Sequence, residues 1–422
     1  YDPISQKEYF ELSAFFNSIN EVGLESTVGG HETFAKNPRM DITQEDLKGV
    51  LSFITSSDTV GLQVSVMKDL DTARKTYVLT RGEYDQHAEE VHPGTPAAIL
   101  PFSPDLPANR LGLAKWLFDT KNPLTARVFV NRIWQEVFGR GIVKSANDFG
   151  MQGDLPTNPE LLDWLAVDFR ENGWDIKRLV KQIYMSATYR QSSEISPEKL
   201  KADPENIYLS YAPRVRLNAE GVRDLVLASS GLLVPVIGGP SVKPYQPPGL
   251  WEMATSGRGM LSTYKQDHGD KLYRRGMYTF IKRTVPPPSM IIFDASNRDQ
   301  CEVRRLRTNT PLQALIMMND PTVLESSVAL ADLLVQKNDS KEAAVTEAFL
   351  RIINRHPQKQ EVDILLSYLN EQESVFEADP ATVEKVVKVG EYKLKTSPGP
   401  EIAAFARMVQ VIYNMDEAIT KT

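Results

Sequence analysis

Helix-start signals in residues 107–190 constrain the fold of this chain more than any other feature. Asn109 and Asn158 each precede a run of apolar residues at helical spacing, and a proline and a glutamate follow Asn158. Asparagine is a preferred N-cap, proline suits the first turn, and an acid there complements the helix dipole. Asp175 opens another helix in the same way. These signals predict a mainly α, multi-helical protein.

Small β elements and one long loop-rich segment complete the predicted fold class. Apolar residues alternate near Val64 and again near Tyr77, which predicts two short strands on either side of Lys68–Lys75. The first alternation consists of Leu62, Val64 and Val66. A helix capped by Thr43 is predicted to run to Ile54, and another to run from Glu401 to Ile419.

The expected organisation has four parts. Residues 1–59 are predicted to be helical, and residues 60–235 to form a helical core with a short β opening. Residues 236–310 are rich in Gly, Pro, Arg and aromatics, with short strands expected within Leu272–Thr284. Residues 311–422 are predicted to form a C-terminal helical region. Loops as long as the third part are usually functional or disordered, and its aromatic content favours order.

Composition excludes several classes of protein. A net charge of −7 argues against a surface that binds nucleic acid throughout, and we expect no nucleic-acid partner. The single cysteine, Cys301, allows no internal disulfide and no c-type haem attachment, and we expect it to be inert. The longest apolar stretch, Leu225–Ile237, is too short to span a bilayer. Because the chain starts at Tyr1 without a leader, we expect a truncated or processed protein.

A cluster of arginines in the loop-rich segment is the strongest candidate binding site. Guanidinium groups bind carboxylate, sulfate and phosphate, and neighbouring aromatic rings offer stacking faces, so an anionic polysaccharide is the expected ligand. The predicted substrate-binding residues are Trp251, Arg258, Arg274, Arg275, Arg283, Asp294, Arg304 and Arg305. The alternative, which we favour, is that the arginines hold irregular backbone in place by bonding its carbonyl groups.

Asp267 and His268 are the candidate proton-transfer pair. A histidine beside an acid in a loop can act as a general base near neutral pH. The competing interpretation is that His268 makes a structural hydrogen bond, which is the commoner role of such a residue.

Two further polar groups have plain structural alternatives. Arg127 and Asn131 lie one turn apart on a predicted helix, where they line a cleft or, as we favour, form a buried polar network. The acidic loop from Asn147 to Asp154 lacks the spacing of an EF-hand, and no metal ligand is assigned.

Many separate motifs occur in order along the chain. The earlier ones are Arg81-Gly82-Glu83-Tyr84, Asn131-Arg132-Ile133-Trp134, Phe138-Gly139-Arg140-Gly141, Asp148-Phe149-Gly150 and Ser186-Ala187-Thr188-Tyr189-Arg190-Gln191-Ser192. The later ones are Arg216-Leu217-Asn218-Ala219-Glu220, Gly238-Gly239-Pro240-Ser241-Val242 and Asn309-Thr310-Pro311-Leu312-Gln313-Ala314-Leu315. Together they resemble the opening, middle and later part of a bacterial family of unknown function that follows planctomycete-type cytochrome c domains. The resemblance covers roughly residues 60–420 and transfers no catalytic residue.

The resemblance also carries expectations about cellular context. Residues 1–20 look like the tail of the helical domain that usually precedes the family, so residues 1–59 are expected to be the C-terminal part of that domain. In such proteins a signal sequence and often a c-type haem domain lie upstream. The resemblance therefore implies a periplasmic or cell-surface protein, with no cofactor within this chain and a c-type haem in an upstream domain.

Two functions follow from these expectations. The first is an exported module of a haem-linked or cell-surface assembly that binds a glycan or a partner subunit. The alternative is a polysaccharide-processing oxidoreductase that passes electrons to the upstream haem, with Asp267 and His268 moving the proton.

Overall fold

The protein is mainly α-helical with small β elements. A computed structural model describes residues 2–20, 38–57, 63–255 and 261–421. Within these ranges its contacts form two compact units. The first comprises the described residues of Tyr1–Ile42 and Gly61–Pro213, and the second those of Thr43–Val60 and Arg214–Thr422. The predicted division into four parts stays a prediction.

The described residues form sixteen α-helices and three short antiparallel strand pairs. The helices are α1 Gln6–Asn17, α2 Gln44–Lys48, α3 Arg110–Leu117, α4 Thr125–Phe138, α5 Pro159–Glu171, α6 Ile176–Met185, α7 Pro197–Ala202, α8 Ala219–Ser230, α9 Leu250–Thr255, α10 Pro288–Ile292, α11 Pro311–Asn319, α12 Pro321–Lys337, α13 Lys341–Ile353, α14 Lys359–Ala378, α15 Pro380–Val387 and α16 Pro400–Tyr413. The strands are β1 Arg39–Asp41, β2 Gln63–Ser65, β3 Thr76–Leu79, β4 His87–Val91, β5 Val215–Arg216 and β6 Thr420–Lys421.

The predicted helix starts of the first unit are confirmed by their caps. The Asn109 side chain accepts hydrogen bonds from two amides of α3, and Asn158 and Asp175 each accept one from the first turns of α5 and α6. Satisfying these otherwise unpaired amides contributes about 1 kcal/mol per cap. The caps therefore fix where the helices that build this unit begin.

The core of the first unit lies between α4, α5 and α6. It consists of Val130, Trp134, Val137, Phe138, Ile142, Val143, Leu162, Leu165, Phe169, Leu179 and Ile183. The apolar stripe on each helix faces the other two, and burial of each large side chain contributes about 1.5–3 kcal/mol. A smaller cluster of Phe15, Leu113 and Trp116 joins α1 to α3.

The two strands predicted around Lys68–Lys75 exist, but they pair with different partners. The strand β2 pairs with β1, and β3 pairs with β4. Leu62, at the start of the first alternation, lies outside the described residues. A period-2 pattern indicates a strand and carries no information about which strand lies beside it.

The second unit is built around α12 and α16. Both helices are buried on nearly all sides, as expected for helices at the centre of a bundle. The helix α12 packs against α8 and α16, while α14 covers another side of α16. Two carboxylates, Glu325 and Asp332, are fully buried on α12 among this apolar packing.

Three expectations for the second unit are wrong in detail. Leu272–Thr284 is ordered, but it forms 3₁₀ turns with isolated bridges where strands were expected. The Thr43 cap is present, yet α2 ends at Lys48 and not at Ile54. The terminal helix ends at Tyr413, followed by a separate 3₁₀ turn.

Close packing against α8 explains the first of these differences. A Cβ on Gly276 would lie 2.7 Å from the Cα of Glu220, and the Gly276 amide donates to Asp224. The segment is thus held by α8 on one side and by isolated bridges to Val234 and Val242, without forming a continuous strand. Among the described residues, no helix is long and apolar enough to cross a bilayer.

Candidate functional site

Arg274, the most buried arginine of the predicted cluster, holds a turn of the backbone. Its guanidinium donates to the carbonyl oxygens of Val236, Gly238 and Pro240 at 2.6–3.0 Å. It also stacks on the ring of Tyr278, with 3.6 Å between the guanidinium carbon and the ring centroid. Only 6 % of Arg274 is exposed. This arginine therefore has the structural role that the alternative interpretation gave it.

Two further arginines of the cluster pair with acids on α8. Arg275 contacts Asp224 at 3.4 Å, and Arg305 contacts Glu220 at 2.6 Å. Both pairs tie the loop-rich segment to this helix, as irregular backbone requires. Their charges are already matched within the unit.

The remaining predicted binding residues share no common role. Asp294 has a positive φ of 59° and accepts hydrogen bonds from the amide and hydroxyl of Thr308. Arg283 and Arg304 are exposed. Arg258 lies outside the described residues.

Trp251 is buried and does not present a stacking face. Only 1 % of it is exposed, and its ring contacts those of Tyr264 and Phe280. The ammonium groups of Lys243 and Lys282 lie 5.8 and 4.6 Å from the ring centroid. Burial lowers the pKa of Lys282. Trp251 therefore serves as the centre of a small aromatic and cationic cluster.

Asp267 and His268 have separate partners. The Asp267 carboxylate accepts from the Lys243 amide at 2.7 Å. The Nδ1 atom of His268 lies 2.5 Å from the carboxylate of Glu391, and the imidazole is 73 % exposed. The Gly269 amide and His268 lower the pKa of Glu391. The acid that contacts the imidazole is therefore Glu391, which the sequence analysis did not identify.

A mainly apolar pocket with a few polar groups lies between α8, α10, α12 and the loop-rich segment of the second unit. We call it the Arg223 pocket. Its lining is Ala219, Val222, Arg223, Val226, Pro244, Tyr245, Tyr264, Thr279, Pro287, Ser289, Met290, Phe293, Ile316, Met317, Asp320, Thr322 and Val323. It has a volume of about 50 Å³, several times what one water molecule needs. A small polar group fits this space, whereas a whole sugar ring does not.

Arg223 places a positive charge at this pocket. Its Nη2 donates to the Leu272 carbonyl at 2.5 Å, and its Nη1 donates to the Thr322 hydroxyl at 3.3 Å. Burial lowers the pKa of Arg223, and the neighbouring Asp320 and Asp224 oppose that shift. Because Arg223 and Asp224 lie on α8 and Asp320 caps the start of α12, the packing of the two helices sets the charge balance of the pocket.

A buried carboxylate network adjoins the pocket through Tyr245. One oxygen of Glu325 accepts from the hydroxyls of Tyr245 and Tyr273 and from the amides of Glu391 and Tyr392. Burial and the Glu325 charge raise the pKa of both tyrosines. They therefore remain neutral donors at physiological pH.

The turn that covers the Glu325 carboxylate requires a glycine at position 390. Gly390 has a φ of +79°, and a Cβ there would lie 2.3 Å from the Glu325 carboxylate. Only glycine suits both the backbone conformation and the close approach. The turn after α15 is thus shaped to cover the buried carboxylate.

Two polar atoms of the pocket are buried and have no hydrogen-bond partner among the described residues. They are Nε of Arg223 and the hydroxyl of Thr279. Buried donors without partners are uncommon in folded proteins, and each indicates a functional or solvent-mediated contact. The pocket is therefore suited to a group that supplies an acceptor oxygen.

Sequence reasoning missed the residues that form this pocket. The sequence analysis singles out none of Arg223, Glu325 and Thr279. For Arg223 and Glu325 the one signal is a charged residue at a position of α8 or α12 where the helical period places an apolar one. That signal shows burial only after the partner helix is known.

The comparisons with known proteins identify a family and no activity. The family model described as "PSD1: Protein of unknown function (DUF1553)" matches residues 109–369, which is more than half of the chain. No curated protein and no solved structure matches the chain. The match includes both α8 and α12, so the Arg223 pocket lies largely within the shared region.

Proposed function

This chain belongs to the PSD1 family of proteins of unknown function (DUF1553), and we propose that it is a binding module of an exported, haem-linked or cell-surface assembly. Its ligand in this proposal is a glycan or a partner subunit that places an oxygen-bearing group in the Arg223 pocket. The observation that carries the proposal is the pair of buried, unpartnered polar atoms on Arg223 and Thr279.

The geometry favours binding over catalysis. Arg274, Arg275 and Arg305 are used within the unit, and Trp251 is covered, so these side chains stabilise the fold. The Arg223 pocket offers one cation and hydrogen-bonding groups. These are the features of a site that holds a polar group in a fixed orientation.

Titration calorimetry with neutral, uronic and sulfated oligosaccharides tests the proposal. The Thr279→Val variant removes one unpartnered hydroxyl, and we expect it to weaken binding about three- to tenfold, the value of one hydrogen bond. Arg223→Lys keeps the charge but loses the Nε–H donor, and we expect a larger loss.

Two exposed variants complete this experiment. Arg283→Gln changes an exposed arginine of the predicted cluster, and Lys115→Gln changes a cation of the first unit. Both should bind as the wild type does. Loss of binding in Arg283→Gln with full binding in Thr279→Val would place the glycan on the exposed arginines and overturn the pocket assignment.

A second candidate function rests on His268 and Glu391. An exposed imidazole whose Nδ1 contacts a carboxylate at 2.5 Å has the arrangement of a general base. This supports the alternative of a polysaccharide-processing oxidoreductase that delivers electrons to an upstream c-type haem. Asp267 would then position the loop, because its carboxylate bonds the Lys243 amide.

The visible spectrum of the full-length parent protein tests this alternative. Reduction of a haem band by one class of polysaccharide, lost in His268→Ala and kept in the control His356→Ala, would support the enzyme. A haem band that no polysaccharide reduces, or a rate unchanged in His268→Ala, would overturn it.

A further inference from the structure

The first unit contains a second polar pocket, which the proposed function does not use. We call it the Tyr208 pocket. It lies between α4, the start of α5 and the loop 203–211, and its lining includes Trp134, Phe138, Arg140, Thr188, Glu205 and Tyr208. Its volume is about 230 Å³, between four and five times that of the Arg223 pocket. A group the size of one sugar ring is therefore the natural occupant.

The loop that forms one wall is held in an uncommon conformation. Asn206 and Leu209 both have a φ of 50°, a region that non-glycine residues rarely adopt. The Asp203 carboxylate accepts from the amides of Ile207 and Tyr208 at 2.7 and 2.9 Å. Backbone strain of this kind persists where the surroundings fix it, and it is concentrated at functional sites.

These hydrogen bonds hold an aromatic ring in the solvent. Tyr208 is 79 % exposed although its own amide is bonded within the loop. An exposed aromatic ring on a hydrogen-bonded backbone offers an apolar face for binding. The C–H face of a sugar ring is complementary to it.

Two cations lie beside Glu205, an acidic residue of the same loop. Arg140 contacts Glu205 at 3.2 Å, and Lys144 lies 3.9 Å from the same carboxylate. The Nε atom of Arg140 is buried without a hydrogen-bond partner among the described residues. Two cations thus share one carboxylate, and one guanidinium donor has no acceptor within the described part of the unit.

We propose that the Tyr208 pocket binds a uronic acid residue of a polysaccharide. The sugar ring stacks on Tyr208, its carboxylate accepts from Arg140 near Lys144, and its hydroxyl groups donate to Glu205. The site lies in a different unit from the Arg223 pocket and does not depend on it.

Binding of methyl β-D-glucuronide and methyl β-D-glucoside, followed by NMR chemical-shift changes, tests this site. We expect the wild type to bind the glucuronide at least tenfold more tightly than the glucoside, and less tightly as salt is added. Tyr208→Ala should weaken glucuronide binding about tenfold, and Tyr208→Phe should keep it within twofold. Because Tyr208 is exposed, neither change endangers folding.

The matched control is Tyr84→Ala, which removes another exposed tyrosine of the same unit, 83 % exposed. It should bind the glucuronide as the wild type does. Arg140→Gln should reduce the preference for glucuronide over glucoside to less than threefold. Equal binding of the two sugars by the wild type, no binding of either, or full binding by Tyr208→Ala would overturn the proposal. The shift changes should fall on residues of the first unit that line the Tyr208 pocket, so failure here is distinct from failure of the Arg223 pocket.

Discussion

At the scale of single residues, the partners of a buried hydroxyl decide what its removal does. The Thr279 hydroxyl is buried and has no partner among the described residues, whereas that of Thr308 bonds Asp294 and accepts from Gln313. Two threonines of the loop-rich segment therefore differ in whether their hydroxyl groups are paired. A buried polar group without a partner destabilises the fold, and a paired one stabilises it.

We expect Thr279→Val to leave the free energy of unfolding unchanged or raise it by up to about 1 kcal/mol, because no protein hydrogen bond is lost. Thr308→Val should lower it by about 1–2 kcal/mol, because Asp294 loses a donor. Urea unfolding of both variants measures the difference. Thr279→Val that destabilises as much as Thr308→Val would show that its hydroxyl is satisfied within the folded protein.

The sequence indicates which residues are important more readily than it indicates what each of them does. The arginine-rich composition of residues 274–307 was visible in the sequence, and so was the need of irregular backbone for partners. Whether Arg274 binds a ligand or three carbonyl oxygens depends on where residues 236–240 lie. That placement is a tertiary property, and no local pattern encodes it.

At the scale of elements, helix starts were predictable because their signals are local. The Asn158 cap acts on an amide three residues away, so sequence alone contains both groups. Strand partners were not predictable, because β3 is bonded to residues 87–91 by a pairing that the alternation does not specify. The end of α2 was missed since the apolar period continues to Ile54, which instead contacts Gly238.

The buried amide of Asn131 joins α4 to the segment that follows it. Its side chain donates to the Val143 carbonyl and accepts from the Val143 amide, and it is fully buried. The favoured interpretation of a buried polar network is thus confirmed for Asn131. Arg127 instead pairs with Asp163 near the surface at 2.7 Å.

We expect Asn131→Leu to lower the free energy of unfolding by about 2–4 kcal/mol, because two buried backbone groups of Val143 lose their partner. Arg127→Met should lower it by less than about 1 kcal/mol, as for other partly exposed ion pairs. Thermal unfolding of both variants provides the comparison. Equal losses would mean that the α4 contacts, and not the Val143 bonds, carry the effect.

At the scale of the whole molecule, the order of the segments along the chain does not match their division between the two units. Thr43–Val60 belongs with residues 214–422, and the amides of Thr55 and Ser56 donate to the Ile237 carbonyl. No change in composition along the sequence marks the points where the chain passes from one unit to the other. Fold class could be predicted from periodicity, while the grouping of segments required the long-range contacts themselves.

The described part of the second unit contains six tyrosines whose pKa is raised chiefly by burial, which predicts a loss of stability at alkaline pH. They are Tyr245, Tyr264, Tyr273, Tyr368, Tyr392 and Tyr413. An unfolded tyrosine has a pKa of about 10, so above this pH the unfolded chain releases protons that the folded one retains. The stabilisation is complete below about pH 10 and decreases as the pH rises further.

The tyrosines that contact Glu325 allow this dependence to be measured. Tyr245→Phe combined with Tyr273→Phe should be less stable than the wild type at pH 8, because the buried carboxylate loses two donors. From pH 8 to 10.5 the wild type should lose about 1–2 kcal/mol more than this variant, since each raised tyrosine contributes about 1 kcal/mol. Urea unfolding at both pH values measures the losses.

The control is the exposed pair Tyr84→Phe and Tyr208→Phe, which should lose as much stability between these pH values as the wild type does. If the Tyr245 and Tyr273 variant loses equally, these two hydroxyl groups ionise in the folded protein, and their burial beside Glu325 is not what retains their protons.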